Sequence, residues 1–355
     1  MLTNIVDLDF LVTTKIAKLS VDDQRWLDFV CRQPSGSIFH HPAWIATLTQ
    51  CYGHPTFVLV LTNPQGEILA GMPIMQIKSW LTGFRWVSLP FSDYCPPLSQ
   101  SQCDLNLLLD GLLQLNKEIN PDKIEIRWQT TEREGCKLLT QHVLHSLNLE
   151  AGLQTIYNNC SRKFRQYPHR AQRLGLEVNS EARPEDIEAF YRLHLKTRRK
   201  LGVPIQPKKY FRLLNTNVIQ KGLGKVVIVS HNKKPLSAAI ILHFNNKSMI
   251  KYSASDPSYL DMRSQYYLFW KCIEWSCQQG HCYMDFGKTD ISDEGLRHFK
   301  NGWGTNEEFL PYSYIGNSTP NPSSGRLNIL LRQVVRHSPP LVCRLAGELL
   351  YKHFA

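Results

Sequence analysis

The fold is decided by residues 247 to 304, which read KSMIKYSASDPSYL (247–260), DMRSQYYLFWKCIEWSCQQG (261–280), HCYMDFG (281–287) and KTDISDEGLRHFKNGWG (288–304). Two short apolar runs enclose a longer run with helical spacing, and Gly280 closes the helix. This order predicts a βαβ unit of an α/β fold, in which functional groups gather at the ends of the strands. We therefore expect the chemistry of the chain in this stretch.

The same order of elements occurs earlier in the chain. FVLVLTNPQGEILAGMPIM (57–75) and VVIVSHNKKPLSAAIILHF (226–244) are both pairs of apolar runs around a polar turn, which is typical of a hairpin. RWVSLPFSDYCPPL (85–98), the helical run 105–118 and KIEIRW (123–128) then correspond to 249–260, 263–279 and CYMDFG (282–287). The repeat predicts two similar α/β domains, although any α/β protein can show such an order by chance.

The segments outside the repeat are less regular. The spacing of apolar residues predicts a helix over 132–145 and a strand over 149–157. GNSTPNPSSG (316–325) predicts a linker, and RLNILLRQVVRHSPPLVCRLAGELLYKHF (326–354) predicts two short helices with apolar residues on one side and basic residues on the other. A tail of this kind can lie on an anionic membrane surface or pack on its own protein, and both alternatives stay open.

Charge is concentrated in the second half of the chain. The 355 residues carry a net charge of +11, with 43% hydrophobic and 20% charged residues, which is typical of a globular protein and excludes a disordered one. No acidic residue occurs between Glu188 and Asp256. That window holds Arg192, Lys196, Arg198, Arg199, Lys200, Lys208, Lys209, Arg212, Lys221, Lys225, Lys233, Lys234, Lys247 and Lys251. An electropositive face and an anionic partner are therefore expected.

The ten cysteines are spread along the chain without a CxxC pair or the spacing of a zinc site, so we expect reduced thiols and no metal centre. The N-terminal MLTNIVDLDF has acids where a signal peptide needs basic residues, and no apolar run reaches the roughly 18 residues of a membrane span. A cytoplasmic protein is therefore expected. If the tail binds lipid, its contact at the inner membrane surface is peripheral and runs through residues 325–354.

Several local motifs carry a family resemblance. They are Tyr252-Ser253-Ala254-Ser255, Asp285-Phe286-Gly287, Gly295-Leu296 with Phe299-Lys300, Trp303-Gly304, SLPFSDYCPPL (88–98), SRKFR (161–165) and HLKTRRKLGVPIQPKKYF (194–211). Together they resemble the Fem-type and BioF-like acetyltransferase branch of the GNAT superfamily. The resemblance implies two tandem GNAT-like domains, over 1–160 on the acceptor side and over 161–316 as the catalytic domain, followed by a linker and basic helical tail over 317–355. It also implies transfer of an acyl or aminoacyl group to an amine of a sugar, polysaccharide or cell-wall precursor.

Three residues are the catalytic candidates. Aminolysis of an ester or thioester needs a base and donors for the developing oxyanion, but no covalent nucleophile. By resemblance Lys300 lies at the reaction centre, where its charge would stabilise the transition state or a donor phosphate; otherwise it is a surface lysine on a helix. Asp285 closes a strand and could act as base or orient Lys288 or Lys300, unless it only forms the turn. Tyr252 could face the cleft, although a tyrosine in a strand more often packs in the core.

The remaining candidates concern binding. Arg198 and Arg199 could hold a phosphate bidentately, or they could merely complement the C-terminal end of a helix dipole. Tyr252 and Ser255 each alternate with their neighbours along a strand, so both could face the cleft, and Lys288 follows the next strand. Asp93 and Tyr94 are acceptor contacts by resemblance alone.

The donor and the reaction class leave alternatives. Acetyl-CoA enzymes of the superfamily place a glycine-rich loop before the helix that receives the pyrophosphate, whereas the corresponding segment, SYLDMRSQYY (258–267), contains no glycine. We expect no permanently bound cofactor, with acyl-CoA or aminoacyl-tRNA as co-substrate, a small-molecule or lipid-linked acceptor, and a nucleic-acid partner only if the donor is a tRNA. The alternative function is a noncatalytic protein that binds nucleic acid through its basic face.

Overall fold

The computed structural model describes residues 14–131, 135–179, 183, 185–316, 333 and 335–353. Its first half contains β1 (Lys15–Leu19), α1 (Gln24–Arg32), α2 (Pro42–Tyr52), β2 (Thr56–Thr62), β3 (Ile68–Ser79), β4 (Gly83–Val87), β5 (Leu98–Ser99), α3 (Gln102–Ile119), β6 (Lys123–Ile126), β7 (Cys136–Asn148) and α4 (Leu153–Asn159). The hairpins predicted over 57–75 and 226–244 are both present, and the helices and strands between them are those of a mixed α/β fold.

The second half begins with α5 (Arg162–Arg173), β8 (Glu177–Val178), α6 (Asp186–Leu201) and α7 (Lys208–Leu214). It continues with β9 (Gly224–His231), β10 (Lys234–Phe244), β11 (Lys247–Ser255), α8 (Ser264–Gln278), β12 (Tyr283–Asp290), α9 (Glu294–Asn301) and β13 (Asn306–Ile315). The tail supplies α10 (Pro340–Leu350) and the short 3₁₀ turn Tyr351–His353. The linker and first tail helix predicted over 316–338 lie largely outside the described residues.

All of these strands belong to one thirteen-stranded sheet within the described part of the chain. The order is β1-β2-β3-β4-β6-β13-β7-β12-β11-β10-β9-β8, with β5 paired to β3. Two neighbouring pairs are parallel, β4 with β6 and β11 with β12, and the other pairs are antiparallel. The parallel pairs are the ones that frame α3 and α8, as the repeat predicts.

The two halves exchange strands at the middle of the sheet. β13 of the second half pairs with β6 of the first, and β7 of the first half pairs with β12 of the second. β13 and β7 also pair with each other over ten residue positions. Helices α2 and α7 bring the halves together on one side of the sheet, where Trp44 and Tyr210 share a core. The halves therefore form one continuous structure.

The prediction for residues 132–157 is wrong in secondary structure. The segment predicted as a helix contains β7, and the segment predicted as a strand contains α4. Along the second part of β7, Val143, His145 and Leu147 are buried while their neighbours are less so, which is the period of two expected for a strand. Two strands flank β7, and this long-range pairing overrides its local helical pattern.

Both parallel pairs are short, and their strands diverge. β4 pairs with β6 from Arg85 to Val87, and β11 pairs with β12 from Lys247 to Met249. After the pair of Met249 and Asp285, β11 and β12 separate. β12 continues along β7, with a register shift between Asp285 and Lys288. The divergence leaves a gap in the sheet at the point where the sequence predicts the functional groups.

Candidate active site

Two adjoining cavities lie at the gap between β11 and β12. The first, the strand cleft, has a volume of about 400 Å³ and is lined by residues that include Thr197, Ser255, Phe269, Phe286, Gly287 and Lys300. The second, the tail cavity, has a volume of about 640 Å³ and is lined by residues that include Phe91, Arg127, Arg198, Tyr252, Leu350 and Tyr351. Asp93, Lys251 and Lys288 line both cavities and form the wall between them.

Asp93 reaches this wall on a loop of the first half. The loop turns through Leu89 and Phe91, which have φ values of 87° and 63°, a conformation that costs free energy for residues other than glycine. Arg127 holds the loop, since its Nη1 donates to the Ser92 carbonyl oxygen at 2.9 Å. The Tyr312 hydroxyl donates to the carbonyl oxygen of Asp93 itself at 2.5 Å. Residues from both halves of the sequence therefore fix the position of this carboxylate.

The Asp93 carboxylate is surrounded by lysines. Its Oδ1 accepts from Lys251 Nζ at 2.7 Å, and its Oδ2 accepts from the Lys288 amide at 3.4 Å. Burial would raise the pKa of Asp93, but the charges of Lys251, Lys288 and Lys300 outweigh it and hold the pKa below its ordinary value. Asp93 is therefore an ionised carboxylate that faces both cavities.

Gly287 allows Asp93 to approach β12. Its φ is +74°, and an added β-carbon would lie 3.0 Å from Asp93 Oδ2. The Gly287 amide donates to Asp285 Oδ1 at 2.6 Å, which turns the Asp285 side chain away from the strand cleft. Asp285 is only 1% exposed, and burial together with the nearby Asp93 raises its pKa to about 7. The structure thus brings the two carboxylates together but exposes only Asp93 to the cavities.

Lys300 reaches the strand cleft from α9 and is 4% exposed. Its Nζ donates to the Gly287 carbonyl oxygen at 2.5 Å and approaches the Lys288 carbonyl oxygen at 3.4 Å. Burial lowers the pKa of Lys300 to about 8, although the Asp285 and Asp93 charges oppose this shift. An ammonium group has three donors, so one is left for a ligand. The alternative of a surface lysine is contradicted by this burial.

Lys288 lies at the same wall. Its Nζ donates to the Tyr312 hydroxyl at 3.1 Å and lies 3.4 Å from His142 Nε2. Burial and the charge of Arg127 lower the pKa of Lys288 to about 8. The wall between the cavities is therefore rich in cations, with Asp93 as its carboxylate.

The other candidates divide between the cavities and the core. Tyr252 lines the tail cavity, but its hydroxyl lies 2.9 Å from the Tyr210 hydroxyl in an aromatic cluster. Ser255 lines the strand cleft and exchanges backbone hydrogen bonds of 3.0 Å with the Thr197 hydroxyl. Tyr94 is beside Asp285 and packs edge-on against Phe39, outside both cavities.

The two arginines predicted to act together point in different directions. Arg198 lines the tail cavity, and its Nε and Nη2 both donate to the Pro204 carbonyl oxygen, at 3.0 and 2.9 Å. Arg199 Nε donates to the Ser338 carbonyl oxygen at 2.8 Å and lines a separate pocket on the far side of α6. Consecutive residues on a helix are rotated by about 100° around its axis, so the two guanidinium groups do not converge on one phosphate.

Sequence reasoning missed Lys251 as a site residue. It is the ion-pair partner of Asp93, and its Nζ lies 4.9 Å from the Phe39 ring centre and 5.6 Å from that of Trp44. The signal was a lysine in the middle of the apolar strand MIKYSAS, a position that is rarely charged unless the charge is paired. Its partner could not be seen because it comes from the other half.

Two further properties concern metal and membrane. In the described ranges, no three His, Cys, Asp or Glu side chains are grouped so that they could hold a metal ion. The helices of those same ranges are all too short or too polar to span a bilayer.

The site can support acyl transfer without a covalent intermediate. One ionised carboxylate can take a proton from an attacking amine, and buried ammonium groups can stabilise negative charge on an acyl oxygen. Such groups act strongly in a buried, water-poor cleft. The strand cleft and the tail cavity provide separate approaches to the same carboxylate.

The chain is similar to known proteins in sequence and in fold. Residues 158–305 match the Acetyltransferase (GNAT) domain family. Over 149 residues the chain is 28% identical to the Lipid II:glycine glycyltransferase of Staphylococcus epidermidis. The match covers 38% of this chain and 35% of that relative. The chain thus spans little more than a third of the length of the curated relatives it matches.

Similar solved structures cover nearly the whole chain. The crystal structure of FemX covers 90% of this chain and 100% of that chain, at a TM-score of 0.67 and 16% identity. The C-terminal domain assigned to a lysylphosphatidylglycerol synthetase from Agrobacterium fabrum covers 88% of this chain and 95% of that chain, at a TM-score of 0.54 and 14% identity. A tandem GNAT protein from the clavulanic acid biosynthesis pathway covers 86% of this chain and 100% of that chain, at a TM-score of 0.54 and 8% identity. These likenesses confirm the predicted fold of tandem GNAT domains. Residues 158–305 thus match a GNAT acetyltransferase domain, and the fold of the chain is similar to that of FemX.

Proposed function

We propose that this protein is an N-acyltransferase that moves an aminoacyl group from an activated donor to an amine of a cell-wall precursor. The observation that carries the proposal is the position of Asp93, Lys251 and Lys288 in the wall between two cavities. An acyl donor in the strand cleft and an acceptor amine in the tail cavity would meet at this wall. Direct transfer needs both reactants in contact, and the arrangement supplies that proximity.

Asp93 and Lys300 have complementary roles in this reaction. The amine nitrogen attacks the acyl carbonyl carbon, a nitrogen–carbon bond forms, and the proton lost by nitrogen passes to Asp93. The carbonyl oxygen gains negative charge, which the free donor of Lys300 stabilises. The carbonyl then re-forms as the bond to the donor oxygen or sulfur breaks, and a proton from Lys300 or water neutralises the leaving group.

Asp285 is the competing base. Its pKa of about 7 suits proton transfer at neutral pH, but its carboxylate is buried behind Gly287. Asp93 has the lower pKa and faces both cavities. Because a base must first reach the proton, the geometry supports Asp93 as the base and Asp285 as the group that fixes the Gly287 turn.

The relatives support the choice of an aminoacyl group, since one is named a Lipid II:glycine glycyltransferase. The carrier of that group is a tRNA or coenzyme A. In place of a glycine loop, the segment before α8 contains a 3₁₀ turn over Pro257–Met262, which favours the tRNA. The acceptor proposed is a lipid-linked precursor, with peripheral contact of the protein at the inner membrane surface.

A transfer assay tests the proposal. The purified protein is incubated with a radiolabelled aminoacyl-tRNA or a labelled acyl-CoA and with amine acceptors, including a water-soluble muropeptide. Label should appear in an amide product from one donor class. Absence of product with either donor, combined with tight, steeply salt-dependent binding of uncharged RNA and DNA, would favour a noncatalytic nucleic-acid-binding protein instead.

A further inference from the structure

Helix α10 exposes an apolar face. Its inner side is packed on the protein: Cys343 is fully buried, and Gly347 lies so close to the Ile205 backbone that a β-carbon would clash. On its outer side Leu341, Leu345 and Leu349 are 61%, 47% and 68% exposed. Residues at this spacing form one stripe along a helix. The tail helix therefore packs on the protein with one side and leaves an apolar stripe exposed on the other.

The turn between β3 and β4 lies against the tail just beyond the C-terminal end of α10. Trp80 is 80% exposed, and its ring centre lies 5.7 Å from that of His353. Ser79 Oγ forms a 3.0 Å hydrogen bond with His353 Nδ1, so the turn is fixed to the tail. Leu81 is also exposed. Tryptophan is enriched where proteins meet the interface between lipid and water.

A pocket of cations lies at the other end of α10. This basic pocket has a volume of about 620 Å³ and is lined by Arg192, Lys196, Arg199, Lys200 and Arg336, together with Pro340 at the start of the helix. Its one lining acid, Asp256, is already paired with Lys196 at 2.7 Å. The remaining cations make the pocket strongly electropositive, which favours a partner with a dense negative charge.

We propose that the stripe of α10, the Trp80 turn and the basic pocket together form a docking face for an anionic lipid bilayer. The apolar groups would enter the interface while the cations bind acidic headgroups. A second copy of the chain is the less suitable occupant, because a contact with the two α10 helices parallel would set one basic pocket against the other.

The same helix lines the tail cavity, which gives the docking face a functional meaning that rests on the proposed function. Ala346, Leu350 and Tyr351 contribute to the cavity that leads to Asp93. The two sides of α10 thus connect a bilayer surface with the proposed acceptor site. A precursor anchored in lipid would present its amine to Asp93 while its lipid stays in the bilayer.

Vesicle sedimentation with the full chain tests the docking face. Vesicles of phosphatidylglycerol mixed with phosphatidylcholine should bind the protein, and vesicles of phosphatidylcholine alone should bind much less. The variant Trp80→Ser/Leu345→Ser/Leu349→Ser should reduce the partition coefficient about tenfold or more, because apolar area is lost from the interface. The control is Phe309→Ser on β13, which removes a side chain that is 72% exposed and should leave binding unchanged.

A charge variant and a measurement of mass complete the test. Arg192→Gln/Lys200→Gln should weaken binding to phosphatidylglycerol and make it less sensitive to salt. Equal binding by the triple variant and the wild type would overturn the proposal. So would a wild-type dimer, seen by sedimentation velocity, that the triple variant converts to monomers.

The docking face and the proposed function can fail separately. Vesicle binding is measured without donor or acceptor, and transfer is measured with a water-soluble acceptor. Transfer without vesicle binding would overturn the docking face alone. Vesicle binding without transfer would overturn the proposed function and leave the docking face in place.

Discussion

The two parallel strand pairs diverge at equivalent places, but the resulting gaps differ. In the first half, the chain after β4 fills the gap: the Ser88 amide donates to the Glu125 carbonyl oxygen at 2.8 Å, and the Cys95 amide donates to that of Arg127 at 3.0 Å. Ser88, Leu89 and Cys95 are buried there. In the second half the gap stays open as the strand cleft. One copy of the design holds a loop, and the other can hold a ligand.

The filled gap also serves the open one. The loop that occupies the first gap carries Asp93 to the wall of the strand cleft, where it meets Lys251 of β11. A duplicated fold therefore did not produce two sites, because one copy supplies a side chain to the other.

Lys300→Ala tests whether the open gap is the reaction centre. The substitution removes the buried ammonium, and kcat/KM for transfer should fall about 10³-fold or more. It also leaves the Gly287 carbonyl oxygen without its donor, which costs about 1–3 kcal/mol of stability. Circular dichroism and thermal unfolding check that the variant is folded. Activity within a few fold of the wild type in a folded variant would exclude Lys300 from the reaction.

Asp93→Asn tests whether the first half supplies a functional group to the second. An amide cannot take a proton, so kcat should fall about 10²-fold or more, with a smaller change in KM. Asp122, which accepts from the Phe84 amide at 2.8 Å in the same half, provides the control as Asp122→Asn. Asp93 would be excluded as the base if Asp285→Asn abolished transfer while Asp93→Asn did not.

Gly287→Ala tests how closely the two halves approach at β12. The substitution combines a strained φ with a contact to Asp93 Oδ2, and we expect a loss of about 2–3 kcal/mol in the free energy of unfolding. Gly280 has the same φ of +74° but nothing near its absent β-carbon, so Gly280→Ala should cost only about 1 kcal/mol. Chemical denaturation measures both. Equal losses would mean that Asp93 does not restrict this position.

The pH dependence of stability reports on Asp285. Its folded pKa of about 7 lies above the ordinary value of 3.8, so the folded state holds the proton more strongly than the unfolded state. Its stabilising contribution is complete below pH 3.8 and is lost as the pH rises to about 7. Asp285→Asn should therefore lower stability least, or raise it, at the upper end of this window. Unfolding experiments from pH 4 to 8 that show parallel curves would contradict the raised pKa.

The local parts of this architecture could be predicted from the sequence. The stretch 247–304 gives β11, α8, β12 and α9 because each has its own periodicity and end signals. The resemblance predicts Lys300 at the reaction centre, and in the structure its side chain lines the strand cleft. These features depend on residues that are close together in the chain.

The missing parts depend on distant residues. β7 looked helical because its strand character comes from β12 and β13, which are far away in sequence. The burial of Asp285 and the pairing of Asp93 with Lys251 both follow from the loop that fills the first gap. The separation of Arg198 from Arg199 is different, since helical geometry alone would have indicated it.

The exchange of β7 and β13 affects how the chain can be made. During synthesis, the first half leaves the ribosome long before residues 306–315, so its β6 edge must wait for the strand that will cover it. An open edge of this kind can pair with other nascent chains. The first half therefore cannot complete its sheet until residues 306–315 have left the ribosome. A gene cut between the halves should yield two fragments that become soluble only when they are produced together.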